Sequence, residues 1–433
     1  MRKLFFKTVS AFIISVFLFS NYGILANAQE ADMQSILKRL DALEQENQSL
    51  KAEVAELKNQ SVEAPAVAAP SNPQSGKFSL TAQQPVQVEM YGYARTDVVW
   101  DDSQNSPTAY SAPNESSTHN VDSFNIDPRN TRLGFNLSGP DVGTDGKLSG
   151  NIEADFAAGS GSGTNPELRL RHGYAKLAYP KWSVLAGQTW AFFSPLNPNI
   201  FNTGTLWRAG NLAARNPQVR FSYNMPDILG GKVVADVGAL DSRNADQENR
   251  GYPVGGAHLS WDGKVFGKSL KLGVGGIAGQ YTQTVGSNLP IWAFTTDATL
   301  KLNDKFNLSG ETYVGQQLAD FFGGSPIPSV PTGGSLKAAV KSNGGWAQVT
   351  FKPTKKWEFN TGAGVDFTNT DYYAAYSSTN TFWRMNRSTF ANGKYRLTDN
   401  FWVGLEYQNF GTVFGDNSKG TDNRIQSTVI YAF

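Results

Sequence analysis

The chain has 433 residues, of which 40% are hydrophobic and only 17% charged, against about 25% charged in an average soluble domain. Its 43 glycines and 53 aromatic residues (27 Phe, 16 Tyr, 10 Trp) exclude a disordered chain and a helical bundle. A mean hydropathy of −0.37 means that the apolar content is spread in short pieces. The net charge of +1 gives no footing for a nucleic-acid partner, which needs a clear basic excess. With no cysteine, disulfides, cysteine zinc sites and thiol nucleophiles are all absent.

Residues 1–28 read as a secretory signal. Arg2, Lys3 and Lys7 precede the apolar stretch Ala11 to Phe19, and Ala26-Asn27-Ala28 supplies a small-x-small cleavage pattern. The apolar stretch is far shorter than the ~20 residues that span a bilayer as a helix. Cleavage leaves a mature net charge of −2.

Residues 29–58 predict a short parallel coiled coil. Met33, Ile36, Leu40, Leu43, Asn47, Leu50, Val54 and Leu57 follow an unbroken 3,4 spacing, the a/d seam of a self-associating helix. Asn47 takes an a position, which fixes register. The flanking pairs Arg39/Glu44, Glu46/Lys51 and Glu53/Lys58 are opposite in charge, as a parallel homo-oligomer requires. The heptads leave dimer and trimer both open. Residues 59–85 follow as a Pro/Ala-rich linker.

From residue 86 to 433 the period becomes two. Leu148, Ile152 and Phe156 alternate with Asn151, Glu153 and Asp155, and Trp357, Phe359, Val365 and Phe367 alternate with Glu358, Asn360 and Asp366. About sixteen strands can be counted, with fourteen and eighteen also open, and short connections alternate with long ones at 101–129, 191–215, 319–344 and 368–381. The 348 residues give ~22 per strand and connection, suited to membrane strands of ~10 residues. The chain ends on Ile425 to Phe433, an alternating strand closed by Phe, similar to the C-terminal assembly signal of bacterial outer-membrane barrels. The expected fold is all-β: a transmembrane antiparallel barrel in the bacterial outer membrane, preceded by a periplasmic helix.

A charge facing lipid at mid-bilayer costs ~2–4 kcal/mol, so the charged faces must line the interior. Arg132, Arg220, Lys301, Lys352 and Arg424 then share it with Glu153, Asp155, Asp236, Asp297, Glu311, Glu358, Asp366 and Glu406. Arg169 and Arg171 add two cations to one face of the fourth strand. His172 has the opposite parity, His119 reads as a loop residue and His258 as a wall residue. The loop 191–215 holds the place that folds inward in sixteen-stranded porins, and with Trp190 just before it, it carries Phe192, Phe193, Trp207, Arg208 and Arg215. Guanidinium groups among aromatic walls suit carboxylates, which arginine binds bidentately.

Enzyme signatures fail: GxSxG, the phosphate-binding GxxxxGK[ST] loop and HExxH do not occur, and Gly273 to Ala278 fits GxGxxA only within alternating strands. No metal site and no cofactor is expected.

The order signal, heptad helix, Ala/Pro linker and Val88-Glu89-Met90-Tyr91-Gly92-Tyr93-Ala94-Arg95 resembles the DcaP-like trimeric porins. Ser123 to Phe135, Leu170 to Ala175 and Leu185 to Trp190 are similar to that family's second, fourth and fifth strands. The resemblance implies a sixteen-stranded homotrimer that prefers anionic small molecules such as dicarboxylates. Charge counting does not reach that preference, because the barrel has 30 basic and 29 acidic residues. The resulting expectation is a diffusion porin for small hydrophilic solutes in contact with outer-membrane lipid, its pore lined by Arg132, Arg169, Arg171, Arg208, Arg215, Arg220, Arg424, Glu153 and Asp155. A plugged barrel tethered to the cell wall and an outer-membrane barrel hydrolase remain the alternatives.

Overall fold

The computed structural model describes residues 86–103, 122–158, 166–242, 252–281, 288–325, 339–369 and 383–433. The signal, the coiled-coil positions Ile36, Leu40, Leu43, Asn47, Leu50, Val54 and Leu57, and His119 lie outside the described residues.

Seventeen strand segments form one sheet: β1 (Gln87–Asp101), β2 (Ser123–Asp127), β3 (Arg132–Val142), β4 (Gly146–Ala158), β5 (Glu167–Ala178), β6 (Trp182–Trp190), β7 (Arg215–Ile228), β8 (Gly231–Leu240), β9 (Val254–Val265), β10 (Lys268–Tyr281), β11 (Leu289–Lys301), β12 (Phe306–Gln316), β13 (Lys341–Phe351), β14 (Trp357–Thr368), β15 (Trp383–Arg396), β16 (Phe401–Phe414) and β17 (Lys419–Ala432). Both β2 and β3 pair with β1, from Asp101↔Ser123 to Gln87↔Ser138. They are one wall strand broken at Pro128, where the missing N–H cannot join a ladder and the Arg129 side chain folds back on Asp127 at 2.9 Å. The result is a closed antiparallel barrel of sixteen wall strands, the expected number. The only helical turn among the described residues is Ala319–Phe321.

Closure runs through β1 and β17, from Tyr93↔Ala432 to Asp101↔Arg424. The terminal Phe433 completes the seam by exchanging backbone hydrogen bonds of 3.2 and 3.1 Å with Gly92. Gly92 allows this approach, since a Cβ there would lie 2.3 Å from the Arg132 carbonyl and 2.9 Å from the Phe433 ring. At the same end of the barrel, Leu229-Gly230 and Phe266-Gly267 connect strands in two residues with φ of 52° and 71°, and 51° and 74°. Positive φ at both positions matches the twist of a hairpin. Long connections occupy the other end, except for the four-residue link 415–418 between β16 and β17.

The two wall faces divide as the alternation predicts. Ile152, Leu170 and Val219 are about half exposed on the outer face, while Asp97, Asp155, Glu406 and Gln426 on the inner face are almost wholly buried. Aromatic rings gather at the short-turn end of the outer face. Tyr179 stacks on Trp182 at 4.6 Å, Phe306 on Phe351 at 4.6 Å, and Trp357 meets Tyr395 at 4.7 Å. Such belts mark the level of lipid headgroups. Gly273 to Ala278 lie within β10, so the GxGxxA pattern is part of the wall.

Because the seam depends on the Gly92 approach, Gly92→Leu is expected to block closure. The check is loss of the heat-modifiable folded band on semi-native gels, with Gly143→Leu, which meets nothing within 4 Å but has φ 67°, losing far less.

Candidate functional site

Segment 191–214, between β6 and β7, leaves the wall and crosses the barrel interior. Its root is apolar: Phe192, Phe193 and Leu212 pack with Ile291, Leu318 and Phe321. Beyond the root, its peptide N–H groups have no strand partner, and the wall supplies acceptors. Glu311 on β12 accepts from the Ser194 hydroxyl at 2.8 Å and the Leu196 N–H at 2.7 Å. Gln348 on β13 accepts from the Asn199 N–H at 2.7 Å. Glu406 on β16 accepts from the N–H groups of Phe201 at 2.7 Å and Asn202 at 3.0 Å. Arg95 on β1 and Gln426 on β17 donate to the Phe201 carbonyl.

The segment then turns back. Asn386 on β15 donates to the Arg208 carbonyl at 2.9 Å. Gly210, at φ 104°, lies so close to β13 that a Cβ would sit 2.1 Å from the Gly345 carbonyl. Here a second inward-turned segment meets it. Trp207 stacks on Phe322 at 4.0 Å and 5°, and the Arg208 guanidinium donates to the carbonyls of Gly324 at 3.2 Å and Ala319 at 3.3 Å. Asp366 on β14 accepts from the Gly324 N–H at 3.1 Å and from the Tyr313 hydroxyl.

A charge cluster occupies the wall of β3, β4 and β5. Arg171 reaches Glu153 at 2.7 Å and Asp155 at 2.8 Å; Arg169 grips Asp155 with two bonds of 2.9 and 2.7 Å; Arg132 lies 3.4 Å from Glu153. The carboxylates form the lower layer, with side chains 5% and 2% exposed, whereas Arg132 and Arg169 are 25% and 20% exposed. The Tyr91 hydroxyl donates to Glu153 at 2.9 Å, and Arg132 covers the Tyr93 ring at 5.0 Å.

His172 is on the same face as this cluster, not the opposite one. The register pairs Glu153 with His172 but Ala154 with Leu170, so Arg171 is an extra residue in a β-bulge. The bulge shifts the parity and sets His172 Nε2 3.7 Å from Glu153, with Nδ1 3.0 Å from the Thr189 hydroxyl. Nothing in the one-dimensional pattern marks it.

Of the other expected arginines, Arg208, Arg220 and Arg424 separate from this cluster and Arg215 joins it. Arg220 is 4.0 Å from Asp236 and 5.7 Å over the Phe192 ring. Arg215 opens β7 in register with Trp190, whose ring it covers at 4.9 Å, and despite a parity opposite to Arg220 it lies within electrostatic reach of Arg171, Arg169, Asp155 and Arg132. Arg424 was expected at the pore but is 1% exposed, chelated to Asp101 at 2.6 and 3.1 Å. Glu311, Asp366 and Glu406, expected as water-facing charges, are buried beneath the two inward segments. His258 is an inner-wall residue, 2.7 Å from Asp297. The sequence reading missed Arg95 and Asp97, buried partners at 2.9 Å whose shared face with Tyr91 and Tyr93 was legible from the two-residue period. Among the described residues no group of three or more metal-ligating side chains converges.

A closed sixteen-stranded barrel with an apolar outer face, a polar inner face and a long inward segment after the fifth wall strand is an outer-membrane barrel of the porin class. The family described as DcaP outer membrane protein matches residues 26–255. The chain belongs to that family. Among solved structures, it is similar to the outer membrane channel DcaP of Acinetobacter baumannii, with 22% identity over 83% of this chain and 100% of that one at TM-score 0.67. It is also similar to an anion-selective porin from Comamonas acidovorans (12% identity, 80% and 100% coverage, TM-score 0.53) and to Salmonella typhi OmpF in complex with daunomycin (12%, 82% and 99%, 0.52). At these identities the likeness is one of fold. Comparison with curated proteins finds no match.

Because Glu406 takes two buried N–H groups, Glu406→Ala is expected to leave both unsatisfied, at a cost of about 2 kcal/mol or more. Hydrogen exchange at the Phe201 and Asn202 amides should then accelerate, with Glu406→Gln, which keeps one carbonyl acceptor, falling between the variant and the parent.

Proposed function

We infer that the chain is a homotrimeric outer-membrane diffusion porin that passes small hydrophilic solutes and favours organic anions such as dicarboxylates. The observation that carries this reading is the layering of charge. On the β3–β5 wall the carboxylates lie below and the guanidiniums above, three for two, so a solute meets cations first. Across the interior, Glu311 and Glu406 spend their acceptor positions on the crossing segment, and Asp366 on the second one. A nearly balanced charge count therefore presents an unbalanced surface, and the field in a narrow aqueous passage follows that surface.

In this reading the segment 191–214 narrows the channel opposite the arginines. A diacid passing between them exchanges its water for charge-assisted bonds from Arg132 or Arg169, which are positioned but not closed off. Residues 1–28 are the export signal. The heptad helix is periplasmic, with Ile36, Leu40, Leu43, Leu50, Val54 and Leu57 as its expected seam and Asn47 setting the register. Arg208 acts as a tie between the two inward segments, and Arg424 as a wall support. No catalytic role is assigned to any residue.

Planar bilayers with the mature protein test the reading. Conductance in groups of three steps, an anion-side reversal potential under a salt gradient and transient block by succinate are the expected results. Silence would favour the plugged barrel, and a cation-side reversal would remove the diacid. Arg132→Glu and Arg169→Glu should each lower the anion-to-cation permeability ratio, together by roughly tenfold. Lys147→Glu, in an exposed pair with Asp141 near a short turn, should leave it unchanged.

A further inference from the structure

The outer wall carries a feature that solute passage does not use. Across β7 to β16 it is indented into an open concavity of about 1390 Å³, whose lining includes Leu259, Leu308, Ala347, Thr361, Ala363 and Tyr407. Thr361 and Ala363 share their face of β14 with exposed Phe359 and Phe367, so this concavity faces away from the interior. It is overwhelmingly apolar and has room for several hydrocarbon chains.

What borders it is different at its two ends. Toward the short turns, the rings of Phe306, Phe351, Phe359, Trp357 and Tyr395 form a continuous run, with neighbouring centroids between 4.6 and 6.4 Å. An aromatic run of this kind marks the level of the lipid headgroups. Toward the long loops, the starts of β13, β15 and β17 bring cations to the rim: Lys341, Arg384 (the second residue of β15) and Lys419 are exposed. Arg387 stands two residues above Thr389, which lines the concavity, and its guanidinium donates to Asn409 at 3.0 Å on the same outer face. Arg384 donates to Asn417 beside it. The nearby acids, Asp102 and Asp416, are held by Asn423 at 2.7 Å and Ser418 at 2.6 Å.

In an outer-membrane barrel the long loops face outward, so the vertical order is cationic rim, apolar hollow, aromatic belt. We propose that this wall is a binding site for a phosphorylated, multiply acylated lipid of the outer leaflet, with the phosphates on Arg387, Arg384, Lys341 and Lys419 and the acyl chains in the concavity. Anionic groups at a membrane surface are attracted by each such cation, and a fixed guanidinium adds bidentate bonding to phosphate oxygens. The site rests on membership of the outer-membrane family and on this wall's chemistry, and it holds whatever solute the channel passes.

The test uses the full mature chain in detergent and native mass spectrometry against three probes: bisphosphorylated hexa-acyl lipid A, the same lipid with its phosphates removed, and phosphatidylglycerol. The phosphorylated lipid A is expected to bind best. Replacing Lys341, Arg384, Arg387 and Lys419 together by Gln should weaken it at least about tenfold while succinate block of conductance is retained. If the fourfold variant fails to assemble, Arg387→Gln alone carries the test, with a severalfold loss. Equal binding of dephosphorylated lipid A, equal binding of phosphatidylglycerol, or unchanged affinity in the Arg387→Gln variant would each overturn the proposal. The absence of native cysteine makes Ala363→Cys a clean reporter. Oxidative cross-linking of that variant between copies would assign the wall to a subunit contact, whereas its protection by lipid A from a bilayer-soluble thiol reagent supports the site.

Discussion

A peptide N–H that leaves a β-ladder and stays buried must find another acceptor, and the segment 191–214 imposes that demand on the whole interior. Its amides are met by side chains spread over β12, β13 and β16, while its Phe201 carbonyl is met from β17 and β1. The wall's carboxylates on that side thus have a structural duty before they have an electrostatic one. Among the described residues the β3–β5 wall holds no such segment, and there the carboxylates instead support arginines. The barrel's electrical asymmetry follows from where its backbone needs acceptors.

The same reasoning explains why the cluster of Arg132, Arg169 and Arg171 is built in layers. Burying a carboxylate such as Asp155 costs several kcal/mol unless the attraction and the hydrogen bonds around it are nearly complete. Two bonds from Arg169 and one from Arg171 meet that requirement. Ion pairs of this kind add little net stability, and their value lies in holding guanidinium planes at fixed positions. The bulge at Arg171 contributes by bringing adjacent residues, Arg171 and His172, to one face.

Most of the wall was legible in the sequence because its cause is local. The alternation of Ile152 and Phe156 with Glu153 and Asp155 records the contrast between hydrocarbon and water. The terminal Phe433 was readable as a strand end, although its partner Gly92 was not. What stayed hidden depends on distant partners. The burial of Arg424 is set by Asp101, 323 residues away, and the occupation of Glu406 is set by Phe201, 205 residues away. A period of two cannot distinguish an inward charge that meets water from one that meets a folded segment. A bulge is equally silent, because an inserted residue looks like the next residue of the pattern.

These limits bear on how ion preference is read from a barrel sequence. With 30 basic and 29 acidic residues from residue 86 onward, the barrel looks neutral by count. The structure divides those charges by exposure. Glu311, Asp366, Glu406 and Arg424 belong to the frame, while Arg132 and Arg169 remain at the surface of their cluster. The charge that acts on a passing ion is the part left after the protein has satisfied its own buried groups. On the outer face the same subtraction leaves Lys341 and Lys419 exposed above an apolar wall. Inside and outside, the frame determines which charges are available, and the sequence alone records only that they exist.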